Sequence, residues 1–110
     1  MKYITTVEGI PGTTVRVPVT DLVQQFDATV YILNNHPAIS MLIQCEDESI
    51  RYAYGVDPDQ GANPVGHILY AGQTLPLING RMIREFRFIN EANGVDGILQ
   101  VTPGYEIGVN

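Results

Sequence analysis

Short apolar segments recur along this chain roughly every ten to fifteen residues, and Gly, Pro, Asn and Asp separate them. Within a segment, apolar residues alternate with other residues, as in Met41, Ile43 and Cys45. That period of two is the period of a β-strand. Regularly spaced short strands are typical of sandwiches and barrels. The sequence therefore predicts an all-β fold, an antiparallel two-sheet β-sandwich that is either jelly-roll-like or immunoglobulin-like.

The pattern defines about eight strands, which follow a β-prone opening segment at residues 3–7. A helix is expected at most as one short turn, at residues 20–26, because so short a segment has too few hydrogen bonds to be stable alone. The predicted strands cover residues 13–17, 28–33, 38–45, 49–55, 65–70, 74–78, 82–89 and 97–102.

Turn residues between these segments refine the prediction. Pro76 makes its segment either an edge strand or an irregular segment, because proline lacks the N–H group that a central strand must donate. The dipeptides Asn79-Gly80 and Asn93-Gly94 predict tight turns. Residues 56–64 consist almost entirely of loop-forming types, so they predict an exposed excursion.

The length of 110 residues indicates one domain, spanning residues 1–110. Both ends of the chain are interrupted by glycine and are β-prone. Residues 1–12 and 103–110 are therefore expected to act as extended arms that add to the sheet edge of a neighbouring subunit.

The charge balance excludes several classes of partner. Twelve acidic residues against six basic ones give a net charge of −6, which opposes nucleic-acid binding and offers no polybasic signal for a membrane surface. No apolar run approaches the ~18 residues of a membrane span, and no signal peptide is apparent. Cys45 is alone, which excludes an intramolecular disulfide and predicts a small buried hydrophobe in a protein made in a reducing cytoplasm.

Catalytic and metal-binding signatures are missing from the sequence. His36 precedes a proline in a predicted turn and His67 begins a predicted strand, and neither lies in a nucleophile motif. The acidic clusters at residues 46–48 and 57–59 lack the spacing of a calcium loop, although a structural calcium ion at the second remains an alternative. The sequence thus predicts a protein that is not an enzyme and that binds no cofactor and no catalytic metal.

Five of the six basic residues are arginine, a residue enriched at protein interfaces where lysine is depleted. Phe86 and Phe88 are expected to face the core, which turns Arg87 outward and makes it a candidate for an ion pair across strands or between subunits. Tyrosines beside the 56–64 loop are also typical of contact surfaces. The predicted interface residues are Arg51, Tyr52, Tyr54, Tyr70, Arg84 and Arg87.

The second half of the chain, roughly residues 49–105, resembles small structural proteins of tailed bacteriophages. The resemblance rests on the residues that form strands and the turns between them, and it contains no catalytic signature. Its segments are Ser49-Ile50-Arg51-Tyr52-Ala53-Tyr54-Gly55, Gly66-His67-Ile68-Leu69, Gly72-Gln73-Thr74-Leu75, Ile83-Arg84-Glu85-Phe86-Arg87-Phe88-Ile89 and Leu99-Gln100-Val101-Thr102.

The resemblance implies a virion component, assembled in the host cytoplasm. The expected role is a capsid decoration or cement subunit, active as a homo-oligomer, with the major capsid protein or other virion subunits as partners. Two alternatives stay open. One is a neck or tail-associated subunit. The other is a carbohydrate-binding module in which Tyr52, Tyr54 and the 56–64 loop form the sugar platform.

Overall fold

The computed structural model describes residues 10–106, and the predicted segment 3–7 and the outer parts of both arms (1–9 and 107–110) lie outside this range. The described residues form eleven strands and two short helices. In chain order these are β1 (Ile10–Pro11), β2 (Val15–Val19), β3 (Gln24–Gln25), α1 (Ala28–Tyr31), β4 (Ile32–Leu33), β5 (His36–Pro37), β6 (Ser40–Glu46), β7 (Ile50–Tyr54), β8 (His67–Leu69), β9 (Thr74–Leu77), α2 (Gly80–Glu85), β10 (Phe86–Asn90) and β11 (Gly97–Tyr105).

Eight of these strands build two facing sheets with jelly-roll connectivity. The first sheet has the order β2-β11-β6-β9 and the second has the order β3-β10-β7-β8, with every pair antiparallel. If only these eight strands are numbered from one to eight along the chain, the first sheet contains strands one, eight, three and six, and the second contains strands two, seven, four and five. This is the strand order of a jelly roll. The predicted all-β antiparallel sandwich is confirmed, and the connectivity selects the jelly-roll alternative.

Three two-residue strands raise the number to eleven, rather than the predicted eight or so, among the described residues. β4 and β5 form a hairpin whose turn residues, Asn34 and Asn35, have φ values of 50° and 65°. Asparagine tolerates this left-handed conformation better than most residues do. β1 pairs with Gly104 and Tyr105 at the end of β11. This inner part of the two predicted arms thus belongs to the first sheet.

Both helices replace predicted strands, over residues 28–31 and 82–85. In each case a side chain before the helix caps it: Asp27 accepts a hydrogen bond from the Thr29 N–H at 2.9 Å, and Asn79 accepts one from the Met82 N–H at 2.9 Å. Such caps stabilise a first helical turn. Asn79-Gly80 therefore begins a helix, and the prediction of a tight turn there is wrong.

Two further predictions are settled by backbone pairing. The helical turn predicted at residues 20–26 is wrong, because Gln24 and Gln25 pair with β10 as a strand. Of the two alternatives for the segment containing Pro76, the edge strand is confirmed, since β9 ends the first sheet.

The core lies between the two sheets, where each strand contributes alternate side chains. Phe86 is at its centre and is fully buried. Its ring lies 5.5 Å from that of Phe26, 5.7 Å from that of Phe88 and 5.3 Å from that of Tyr52. Other fully buried side chains are Val19, Met41, Ile43, Cys45, Ile50, Leu77, Phe88, Leu99 and Val101. No helix within residues 10–106 is long and apolar enough to cross a membrane.

Candidate functional site

Four connections between strands meet at one end of the sandwich, and we call this the loop end. They are residues 20–23, 47–49, 70–73 and 91–96, and each of them crosses from a strand of one sheet to a strand of the other. Hydrogen bonds hold three of them together: the Gly94 N–H donates to Asp21 Oδ1 at 2.8 Å, and the Glu91 N–H donates to the Ser49 carbonyl at 3.3 Å. The fourth is held beside residues 47–49, because the Gly72 N–H donates to the Cys45 carbonyl near the end of β6 at 2.7 Å. The loop end is therefore a continuous surface made from four separate stretches of sequence.

Large apolar side chains are exposed on this surface. The exposed fraction is 75% for Leu22, 56% for Tyr70, 41% for Val95 and 38% for Val23. Exposed apolar groups rimmed by polar residues are typical of contact sites. The rim here carries five carboxylates and no basic residue within the four connections: Asp21, Asp47, Glu48, Glu91 and Asp96. Tyr70 is thus the one predicted interface residue that lies on the loop end.

A buried asparagine supports the loop end from below. Asn90 is fully buried, and its Nδ2 group donates to Asp21 Oδ1 at 2.8 Å. Its Oδ1 atom accepts from Gln60 Nε2, which also donates to the Asn90 carbonyl at 2.9 Å. The Asn90 N–H donates to the Thr20 carbonyl at 3.0 Å. Asn90 is not among the residues predicted for a site, although its place in the inward row after Phe86 and Phe88 marks a polar group in a core position.

The network predicts a specific effect of acid. The hydrogen bond from the Gly94 N–H, and after it the one from Asn90, lowers the pKa of Asp21. Because this folded-state pKa lies below the unfolded value, the stabilisation is present above about pH 4 and is lost as the pH falls through the lowered pKa. We expect Asn90→Ala to bring the Asp21 pKa back toward its ordinary value, as measured by NMR titration of the carboxyl group.

The same variant leaves the Gln60 amide without its buried acceptor side chain. We expect the free energy of unfolding in urea to fall by about 2 kcal/mol. Asn93→Ala, at an exposed turn position, is the matched control and should change neither quantity. An Asp21 pKa that is the same in wild type and Asn90→Ala would contradict the network.

Tyr52 and Tyr54 face the core rather than solvent. Their registers place them opposite Phe88 and Phe86, and the Tyr54 ring lies 5.7 Å from that of Phe86. Burial, and to a lesser extent the neighbouring Tyr52, raises the pKa of Tyr54 to about 12. Burial also raises the pKa of Tyr52 above its ordinary value, so both hydroxyls stay protonated at neutral pH. These rings stabilise the sandwich interior, on the sheet face opposite to that of Arg51.

Arg51 and Arg87 lie on the outer face of the second sheet. Residues 55–66, which we call the strap, cross this face. Arg87 NH1 donates to Asp57 Oδ1 at 3.0 Å, and Arg51 NH1 donates to the Gly66 carbonyl at 3.0 Å. The loop predicted to be exposed is exposed over most of its length, but Pro58 within it is fully buried. Arg87 thus forms an ion pair within the chain, with a strap residue thirty positions away, and this pair is neither across strands nor between subunits as predicted.

Arg84 lies at the opposite end of the sandwich from the loop end. It lines a cavity of about 300 Å³ between α2 and the β4–β5 hairpin, together with His36, Asn79 and Glu106. The structure therefore divides the six predicted interface residues among four places and brings together only the pairs Tyr52–Tyr54 and Arg51–Arg87.

The remaining reactive groups have local, structural contacts. The His67 ring packs 5.5 Å from that of Tyr52. Burial raises the pKa of the Cys45 thiol to about 11, and its sulfur donates to the Glu48 carbonyl at 3.1 Å. Among residues 10–106, no group of three or more His, Cys, Asp or Glu side chains is arranged to hold a metal ion.

In comparisons with known proteins, no family model, no curated protein sequence and no solved structure matches the chain.

Proposed function

We propose that this protein is a non-enzymatic structural subunit of a tailed-bacteriophage particle, a decoration or cement protein that stabilises the shell by contacts with neighbouring subunits. The observation that carries the proposal is the loop end. There, four exposed apolar side chains, including a tyrosine, lie on connections that hydrogen bonds fix in place. A preorganised apolar surface with a polar rim binds another protein without a large ordering cost.

The fold and the sequence resemblance support the particle-bound role in different ways. Jelly rolls occur in viral capsid proteins, but also in lectins and cupins, so connectivity by itself does not choose among these functions. The resemblance of residues 49–105 to phage structural proteins favours the first. The low charged fraction of 16% is typical of a surface that becomes covered by neighbours.

The sugar-binding alternative receives less support. It required Tyr52, Tyr54 and residues 56–64 to share one exposed platform. The two rings pack against Phe86 inside the sandwich, whereas Pro58 of the strap is buried close to Gly66 on the other side of the sheet. An aromatic sugar platform needs an exposed ring face, whereas these two rings are packed against the core.

Quantitative mass spectrometry of purified particles tests the proposal. We expect a copy number near that of the major shell protein, whereas a small number that matches a ring symmetry would move the protein to the neck or tail. Its absence from particles would contradict the virion role altogether.

A pair of matched variants tests the loop end itself. We expect the double variant Leu22→Ser, Tyr70→Ala to lower incorporation into particles at least about tenfold, because each apolar anchor contributes on the order of 1–2 kcal/mol. Ile78→Ser is the control, since Ile78 is 63% exposed but lies at the other end of the sandwich. Equal loss in both variants would show that the loop end is not the contact surface.

A further inference from the structure

The two arginines on the outer face of the second sheet have more donors than acceptors. The Nε atoms of Arg51 and Arg87 are both buried, and neither has a hydrogen-bond partner among the described residues. Each arginine uses one NH1 group, on the Gly66 carbonyl and on Asp57 respectively. A buried N–H group without an acceptor is destabilising, so the hydrogen-bond donors on this face are incompletely satisfied in the isolated chain.

The acceptor that is present is a weakly held one. Asp57 contacts Arg87 through a single oxygen atom, and its side chain is 68% exposed, against 31% for Arg87. A carboxylate that binds arginine well accepts hydrogen bonds from two parallel N–H groups of the guanidinium fork. Such a bidentate pair is stronger than a contact through one oxygen atom. The Arg87–Asp57 contact therefore leaves part of the arginine fork unused.

The strap that carries Asp57 is connected by glycines with left-handed backbone conformations. Gly55 has a φ value of 73° and Gly66 one of 122°, so both ends of the strap turn sharply. Between them, Asp57 contacts the sheet through its ion pair, Pro58 is buried and Gln60 donates hydrogen bonds to Asn90. Most of the other strap residues are exposed, which makes local opening of the strap less costly than unfolding of a strand.

We propose that the Arg51–Arg87 face binds an acidic segment of a partner protein, whose carboxylates engage the guanidinium forks and displace Asp57. Two arginines on this face suit a short segment with two carboxylates. The net charge of −6 opposes a long polyanion such as nucleic acid, which favours a protein partner. The inference rests on the proposed assembly function for the existence of a partner, and it adds a second contact surface distinct from the loop end.

The test uses the purified chain and a short glycine peptide with two glutamates, one carboxylate for each arginine, and the same peptide with two glutamines is the uncharged control. Binding is followed by NMR of the arginine Nε–H signals, which report directly on the groups concerned. We expect the Arg51 and Arg87 signals to shift with the glutamate peptide only. Asp57→Asn should tighten binding about three- to fivefold, because it removes the competing internal carboxylate.

Variants with lysine in place of arginine test whether binding needs the planar guanidinium group or only its positive charge. Arg51→Lys and Arg87→Lys keep the charge but lose the fork, and each should weaken peptide binding about tenfold. Arg16→Lys, at an exposed position on β2 in the other sheet, should bind like wild type. Unfolding in urea monitors the fold of every variant.

Two results would overturn the inference: unshifted Arg51 and Arg87 signals at saturating peptide, or equal binding by the Arg16→Lys and Arg87→Lys variants. Either result would leave the particle-bound role intact if the protein is still found in particles. Conversely, peptide binding by a protein that is absent from particles would retain this surface and reject the proposed function.

Discussion

Replacing Phe86 by alanine is expected to lower the free energy of unfolding by about 4 kcal/mol, the largest loss that we predict for a single side chain. Phe86 is fully buried, and its ring packs against those of Phe26, Tyr52, Tyr54 and Phe88. Alanine leaves a cavity that four aromatic rings cannot fill without leaving their own positions. Urea denaturation followed by circular dichroism measures the change.

The control for this prediction is Phe86→Leu. Leucine refills most of the volume, so we expect a loss of only about 1–2 kcal/mol. Small domains have total stabilities of about 5–15 kcal/mol, and the alanine variant should therefore be partly unfolded well below the wild-type denaturation midpoint. A loss below about 1.5 kcal/mol for alanine would mean that Phe86 is not at the centre of the core.

Gly66→Ala is expected to destabilise the protein by about 3 kcal/mol or more, through the backbone and not through a lost contact. The φ value of Gly66 is 122°, which side chains rarely adopt. A Cβ atom there would lie 2.8 Å from the Tyr52 carbonyl oxygen and 2.9 Å from Arg51 Cγ. The Tyr52 carbonyl belongs to the backbone of β7, inside the second sheet, so the clash can be relieved only by displacing that strand.

Gly72→Ala is the matched control for this variant. Gly72 also has a positive φ, of 88°, but no atom lies within 4 Å of the position that its Cβ would take. Only the conformational penalty remains, and we expect a loss of about 1 kcal/mol in the same urea measurement. Equal losses in the two alanine variants would show that the crowding at Gly66 has no energetic effect.

The sheets of this fold were predictable from the sequence because alternation persists along them. Phe86, Phe88 and Leu99 follow the period of two, and all three are fully buried. The helices were not predictable in this way. Over four to six residues, a capped helical turn and a strand have nearly the same apolar pattern. Which of the two forms here depends on whether the side chains of Asp27 and Asn79 accept a hydrogen bond from a backbone N–H group of the first turn.

The candidate site was less predictable than the fold. The loop end joins residues that are up to about seventy positions apart, such as Asp21 and Gly94, and a single sequence does not specify which connections meet. A tyrosine at the end of a strand is typical of contact surfaces, and Tyr70, which fits this description, is exposed on the loop end. Tyr52 and Tyr54 share that description, but they lie on the sheet face opposite to that of Arg51 and pack against the core.

β11 occupies the middle of the first sheet, with β1 and β2 on one side and β6 on the other. Val17 and Leu99 are neighbours across β2 and β11 although about eighty residues separate them along the chain. During synthesis on the ribosome, β2 therefore has no strand to pair with until β11 has emerged. We expect the first sheet to form only once β11 is available, on a timescale of milliseconds to seconds.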